Sequence, residues 1–379
     1  MQLYRLGEMG DKKEALKALG VEGGGISIIS KKMSLYYFMI KALRTPAVNI
    51  LKQDALSIGA ELAVPSGAIT CEKAYFDCIL IANRKQVEIL SRKERAQPFG
   101  LKAVAEALSD FLQTPMFPLR IMGVINANDD SFYSGSRYLA EDAICEIEKM
   151  IAEGADVIDV GAVSSRPGAQ AVTEAEELAR IRPICDAIRE QALYKKVCFS
   201  IDSYTPSVVS YALECGFGII NDITGAQDER VISLAKTHDA QLCIMHMQGS
   251  PETMQDNPSY EDVILEVSQF FEERIDKCLA LGLKREQIIL DVGIGFGKRL
   301  EDNIALIKNL SHFQKFGCEL LVGASRKSMI DHIVPTPTEA RLPGTLAIHL
   351  HAVAQGAHMI RCHDVKAHRQ ALSVHEALR

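Results

Sequence analysis

From Pro118 to the C-terminus the chain repeats one unit, a short apolar run followed by an amphipathic helical stretch, and this repeat constrains the fold more than any other feature. The runs lie at Leu119–Ile125, Val157–Val160, Val197–Ile201, Gly218–Ile223, Leu242–Met245, Ile288–Leu290, Leu320–Val322 and His358–Arg361. They are β-branched and continuously apolar, as expected of strands buried on both faces. The first intervening stretch sets Leu139, Ala143, Ile147 and Met150 along one helical face, with Gly154 just past its end. Eight strands alternating with helices over about 260 residues predict a closed (β/α)8 barrel, with a doubly wound open sheet as the alternative.

Two prolines interrupt the pattern at Gln113-Thr-Pro-Met-Phe-Pro118, which places a small α/β domain over residues 1–112 and the barrel over 118–379. In the small domain, Ile26-Ser-Ile-Ile29 reads as a strand. Ser34 reads as the cap of a helix carrying Leu35, Phe38, Met39, Ala42 and Leu43 on one face. Thr45 reads as the N-cap of a second helix, with Pro46 at its first position and Gly59 at its end. Glu61–Val64 and Ala74–Ala82 read as strands, and Leu101, Val104, Ala105, Leu108 and Leu112 as a further helix. None of these residues carries recognisable chemistry, and the apolar helix faces suggest an interface or stabilising role.

Charge narrows the partners. With 42 Lys+Arg against 49 Asp+Glu, the formal charge of −7 offers no basic footprint for nucleic acid or an anionic membrane, leaving a small molecule as the expected ligand. The ten cysteines form no C-x-x-C pair and mostly sit in apolar runs, so a reducing cytoplasm is expected. Met1-Gln-Leu-Tyr-Arg lacks a signal peptide's apolar segment, and no run approaches the ~18 apolar residues of a membrane span.

Polar residues gather at the C-terminal strand ends, where parallel barrels build their sites. The acceptors Asp202, Asn221 and Asp291 belong to middle strands, while Arg326, Lys327, Arg361 and His363 belong to the last two. Carboxylates facing a pocket suit a heterocycle edge with several N–H donors, and cations at the mouth suit phosphoryl oxygens. A diphosphate would bring magnesium, which takes one or two protein oxygens besides phosphate and water; Asn126 is the candidate ligand. Asp159 and Asp222 read as structural, and His246 as a histidine of the core or one standing behind the site rather than a metal ligand. Ser165 and Ser325 lack a histidine arranged to activate them, which argues against a serine nucleophile. Gly293-Ile-Gly-Phe-Gly-Lys298 misses the Walker A spacing, because Val292 and Arg299 stand at required positions.

Taken together these segments resemble dihydropteroate synthases over the stretch from about Leu119 to the C-terminus. The resemblance rests on Met122-Gly-Val-Ile-Asn126 with Asp130-Ser-Phe132, Ser164-Ser-Arg-Pro-Gly168, Ser200-Ile-Asp202, Ile219-Ile-Asn-Asp222 and Met245-His-Met-Gln-Gly249. Asp291 with the glycine-rich segment, Gly323-Ala-Ser-Arg-Lys-Ser328 and Arg361-Cys-His-Asp-Val365 complete it, in the family's order. It implies a transferase of folate biosynthesis on a (β/α)8 barrel, a homodimer and sulfonamide target that joins 6-hydroxymethyl-7,8-dihydropterin diphosphate to 4-aminobenzoate with Mg2+. By the same resemblance Asp202, Asn221, Asp291, Lys327, Met245 and Gly323 would hold the pterin. Asn126, Arg361 and His363 would hold diphosphate and metal, with Asn126 as metal ligand. Ser165, Arg166, Pro167, Phe296 and Ser325 would shape the aminobenzoate pocket. Asp202, Lys327, Arg361 and His363 would be the catalytic set.

The chain departs from the family where Asn128-Asp129 replace Thr-Pro in the first loop, Val163 replaces Glu in the second, and Val292 replaces a usual proline. Two alternatives stay open at this point: a pterin-binding paralogue with weakened turnover, and a methyltetrahydrofolate-binding methyltransferase barrel, which would not need the cationic mouth.

Overall fold

Two sheets with incompatible connectivity divide the chain into two compact units, Met1–Thr114 with Glu376–Arg379, and Pro115–His375. The computed structural model describes residues 3, 11–113, 115–126, 136–163, 172–250 and 253–378, with backbone alone for 136–140.

The first unit comprises α1 (Lys12–Ala18), α2 (Gly23–Ser30), β1 (Leu35–Arg44), α3 (Thr45–Ser57), β2 (Glu61–Ala63), β3 (Tyr75–Asn83), α4 (Arg84–Lys93) and α5 (Leu101–Leu112). Its sheet is antiparallel in the order β1-β3-β2. Leu51, Leu62, Leu80, Leu90 and Leu101 form its core. Three sequence expectations are overturned here. Residues 35–44 form a strand, not a helix: the run Leu-Tyr-Tyr-Phe-Met-Ile is apolar at both the helical and the strand period. Its aromatic content, with Tyr36 and Phe38 packed on Phe111, favours the pleated surface. Residues 23–30 form a short helix, not a strand, and bury none of their side chains. Thr45 is the first helical residue rather than the cap. Its amide donates to Ala74 O at 3.0 Å, and its hydroxyl donates to the Lys73 carbonyl.

In the second unit eight parallel strands close in sequence order: β4 (Arg120–Asn126), β5 (Val157–Gly161), β6 (Cys198–Asp202), β7 (Ile219–Asp222), β8 (Gln241–Met245), β9 (Ile288–Asp291), β10 (Glu319–Val322) and β11 (Met359–Cys362). The closed sheet excludes the doubly wound alternative. Around it run α6 (Ser136–Ala152), α7 (Glu174–Glu190), α8 (Pro206–Glu214), α9 (Glu229–Thr237), α10 (Val263–Ala280), α11 (Leu300–Lys308), α12 (Ser328–Ile333), α13 (Leu342–Ala354) and α14 (Val365–Ala377).

Strand alternation then decides what faces inward. Each strand contributes one residue to a dry interior layer: Met122, Val157, Cys198, Ile219, Cys243, Ile289, Leu321 and Met359. Their neighbours Ile121, Ile158, Phe199, Ile220, Leu242, Ile288, Leu320 and Ile360 face outward into the core beneath the helices. Two positions further along, the inward residues are Val124, Asp159, Ser200, Asn221, Met245, Asp291, Gly323 and Arg361. The interior thus turns from apolar to polar toward the C-terminal mouth. At the opposite end Arg120 donates to Glu319 at 3.0 and 2.5 Å and to Gln241 at 3.0 Å, plugging the barrel floor.

Candidate active site

The polar layer is wired through one guanidinium. Arg361, at the end of β11, donates from Nε to Asp159 Oδ2 and from Nη2 to Asp202 Oδ2, each at 2.7 Å. Asn221 donates to the same Asp159 oxygen at 3.0 Å. Asp202 and Asn221 are register partners on β6 and β7, and Met245 and Asp291 on β8 and β9. Gly161 admits Asp202 to the interior, since a Cβ there would lie 3.1 Å from Asp202 Cβ. Burial, with Asp159, Glu177 and Asp222 around it, pushes the Asp202 carboxyl up to about 7 against the pull of Arg361. Burial also raises Asp291 and lowers Lys327 to about 8. Arg361 stays charged because Asp159 and Asp202 outweigh the cost of burying it.

Asp159, expected to be structural, belongs to this polar layer. It is fully buried, its partners are site side chains rather than loop backbone, and its Oδ1 has no hydrogen-bond partner among the described residues. The available signal was an acid in mid-strand between β-branched neighbours, where only a compensating partner makes a charge tolerable. Asp222, by contrast, is structural as expected. It accepts from Thr224 N, Thr224 Oγ1 and Ala226 N at 2.7, 2.6 and 3.1 Å.

The glycine-rich segment after β9 lines one side of the mouth. Gly293, Gly295 and Gly297 all adopt left-handed φ, and a Cβ on Gly293 would fall 1.9 Å from the His246 carbonyl oxygen. The glycines therefore answer a backbone requirement. Buried Lys298 fastens this segment, reaching His246 Nδ1, His246 O, Gly293 O and Phe296 O at 3.0, 3.1, 3.0 and 2.9 Å. His246 is thereby a core histidine, its pKa lowered by burial to about 3. The segment presents the Ile294 carbonyl to Lys327 Nζ, which also lies 4.5 Å from the Phe296 ring centroid. Ser328, next to Lys327, opens on a cavity of about 510 Å3 that Gly295, Met329, Gln255 and Asn257 also line.

Ser325 corrects a second expectation, because it does have a histidine beside it. Its Oγ lies 2.9 Å from His363 Nδ1 and accepts from His363 N at 3.3 Å. Next to it, Arg326 grips Asp364 at 3.1 and 2.7 Å. Gly323 leaves room for Arg361, whose Cβ would lie 3.5 Å from an added Cβ. Asn126 ends β4 on the same face as Met122, toward the mouth. Ser165, Arg166, Pro167 and the first-loop residues Asn128, Asp129 and Asp130 lie outside the described residues.

The family model for pterin binding enzymes matches residues 122–363, spanning the site from Asn126 to His363. The chain belongs to the dihydropteroate synthase family. A dihydropteroate synthase of Escherichia coli is 40% identical over 278 residues, covering 73% of this chain and 96% of that one. A Helicobacter pylori protein named bifunctional dihydropteroate synthase/dihydropteroate reductase is 39% identical over 367 residues, covering 97% of this chain and 96% of its own. The solved Yersinia pestis dihydropteroate synthase, in complex with a sulfonamide drug, aligns with a TM-score of 0.65 at 37% identity, over 69% of this chain and 94% of that one. Dihydropteroate synthases are transferases of folate biosynthesis, and the methyltransferase-barrel alternative falls away. Among the described residues no helix is long and apolar enough to cross a membrane.

Proposed function

We propose that the chain joins 6-hydroxymethyl-7,8-dihydropterin diphosphate to 4-aminobenzoate, with the work divided along the barrel mouth. The observation that carries this reading is the inward polar layer, acceptors on β5 to β9 and a cation on β11, within one closed barrel. Asp202, Asn221 and Asp291 take the N–H edge of the pterin, and Asp159 stands behind them with an acceptor to spare. Arg361 and His363 meet the diphosphate. Lys327 and Phe296 border the pterin on the side where the cavity at Ser328 leaves room for the aromatic amine. Ser325 and the second-loop residues Ser165, Arg166 and Pro167 complete the aminobenzoate pocket.

The bond from the pterin methylene carbon to the diphosphate oxygen breaks, and its electron pair leaves with the diphosphate. The amine nitrogen forms the new C–N bond, and its surplus proton passes to diphosphate or solvent. An aromatic amine needs no base, so the chain contributes positioning and charge. Asn126 would supply one oxygen to Mg2+, which would neutralise the diphosphate as it leaves. Among the described residues no group of three acid, histidine or cysteine side chains is placed to hold a metal ion, so Mg2+ would draw most of its ligands from substrate and water. The functional unit in this reading is a cytoplasmic homodimer of the 41.7 kDa chain, and light scattering would test the dimer.

Diphosphate release from the pterin diphosphate is the test, measured with and without 4-aminobenzoate and Mg2+. Release that requires both is expected. Tight pterin binding without release would instead make the chain an inactive pterin-binding paralogue.

A second activity has one supporting observation. The relative named as both synthase and reductase aligns over 97% of this chain, the N-terminal unit included, whereas the Escherichia coli synthase covers 73%. In this reading the chain also reduces dihydropteroate, taking a hydride from a reduced nicotinamide or flavin and a proton from solvent. Oxidation of that donor dependent on dihydropteroate would support it, and its absence with either donor would remove it.

A further inference from the structure

Two histidines outside the reaction are wired end to end behind the site. His349 on α13 and His368 on α14 are both buried. The amide of Ala324 donates to His349 Nε2 at 3.0 Å, His349 Nδ1 and His368 Nε2 lie 2.8 Å apart, and His368 Nδ1 lies 2.7 Å from the carbonyl oxygen of Asp364. Both ends of this wire are backbone groups with fixed roles, since an amide only donates and a carbonyl only accepts. His349 Nε2 must therefore carry a lone pair, and its proton sits on Nδ1. That proton is donated to His368 Nε2, so His368 is protonated on Nδ1 as well and donates to Asp364 O. Both tautomers follow without choice, both rings are neutral, and all four ring nitrogens are partnered. Burial lowers both pKa values, reinforced for His349 by the nearby His368 and Lys327.

The wire joins the two halves of the mouth. Ala324 opens the segment that carries Ser325 and Lys327, and Asp364 closes the one that carries Arg361 and His363. Toward the site the same segments meet through Ser325–His363 and Arg326–Asp364. Between them Arg326 holds a left-handed φ of +56°, a conformation that persists only where its surroundings over-determine it. Thr345 Oγ1 accepts from its amide at 2.9 Å, and Thr345 lies one turn before His349 on the same face of α13. One helix face thus supports two consecutive points of the segment.

We propose that His349 and His368 act as a positioning pair, setting the distance between the Ser325–Lys327 segment and the Arg361–His363 segment, and thereby that between the amine and the departing diphosphate. The proposal rests on the synthase reading above. A wire of this kind has a signature that simple packing lacks: cutting it at either ring costs the same as cutting it at both.

The experiment uses the full chain. His349→Leu, His368→Leu and the double variant keep the apolar volume and remove the hydrogen bonds. We expect kcat to fall about tenfold in all three, double included, with each KM within about threefold of wild type. His349→Gln, whose amide can accept from Ala324 and donate to His368, should recover kcat to within about threefold of wild type. Leucine variants that fold, judged by circular dichroism, and keep wild-type kcat would overturn the proposal, as would additive losses. Should they not fold, His368→Asn keeps a donor for Asp364 and loses His349; unchanged kcat there overturns the proposal equally. Ring-15N histidine NMR of the wild-type chain reads the tautomers directly, and an Nε2-protonated His349 or His368 would refute the wire. If wild type releases no diphosphate, the synthase reading fails, while the NMR result still judges the wire.

Discussion

Arg361 Nη2 lies 2.7 Å from Asp202 Oδ2, and this pairing makes the arginine a structural counterion as well as a candidate diphosphate ligand. Removing it leaves Asp202 and Asp159 facing each other without a cation, the situation in which breaking a buried pair costs about 3–5 kcal/mol. Arg361→Ala should therefore lower the melting temperature as well as abolish turnover. Arg361→Met combined with Asp159→Asn should recover much of the stability and none of the activity, measured by thermal denaturation and diphosphate release.

Asp202→Ala should weaken pterin diphosphate binding by about 1.5–3 kcal/mol, the range for a charge-assisted contact. That corresponds to roughly 10- to 150-fold in Kd by calorimetry. An unchanged Kd would remove Asp202 from the pterin edge.

Two of the mouth's shifted groups, Asp202 and Lys327, define a pH window. Asp202 titrates near 7 and must lose its proton to accept from the pterin, whereas Lys327 titrates near 8 and must keep its proton to carry charge. The profile of kcat/KM should be a bell with limbs near these values, the acid limb being lost in Asp202→Asn. The linkage to stability has a definite sign. A carboxyl whose folded pKa is raised stabilises the folded chain below its unfolded pKa, and that contribution is lost as pH rises through about 7. Pterin diphosphate, by satisfying the charged form, should raise the melting temperature more at pH 8 than at pH 6.

The barrel was legible because doubly buried parallel strands leave continuous apolar runs, and its strand ends fall within about a residue of the positions those runs indicate. Polar strand ends then located the mouth. Four things were not legible. The run from Leu35 to Leu43 fits two periods at once, so only its packing on Phe111 decides for a strand. Asp159 looked like a structural acid because its partner Arg361 lies 202 residues away in sequence. The Ser325–His363 contact depends on β10 pairing with β11, a fact of closure rather than of local pattern. His349 and His368 sit in helices where a lone histidine carries no signal.

Residues 115–379, the barrel with the end of α14, should fold alone and retain aminobenzoate-dependent diphosphate release, because the polar layer and its supports all come from this unit. Circular dichroism and kcat within about threefold of the full chain are the expected readings. Loss of activity in a folded barrel would assign the N-terminal unit a direct part in synthesis.

The last prediction concerns the fastened glycine segment. Lys298→Met removes the donor shared by two buried carbonyls and one half-buried one, a buried carbonyl costing about 1–3 kcal/mol when left unsatisfied, and so should destabilise the barrel by several kcal/mol. Because the same segment presents the Ile294 carbonyl and the Phe296 ring to Lys327, the variant at permissive temperature should also show a raised KM for 4-aminobenzoate. Gly293→Ala attacks the segment by a different route, forcing a Cβ toward the His246 carbonyl at a left-handed φ of +67°. If fastening is what matters, both variants should converge on the same kinetic defect. A Lys298→Met enzyme with native stability and native KM would show that the lysine merely fills space.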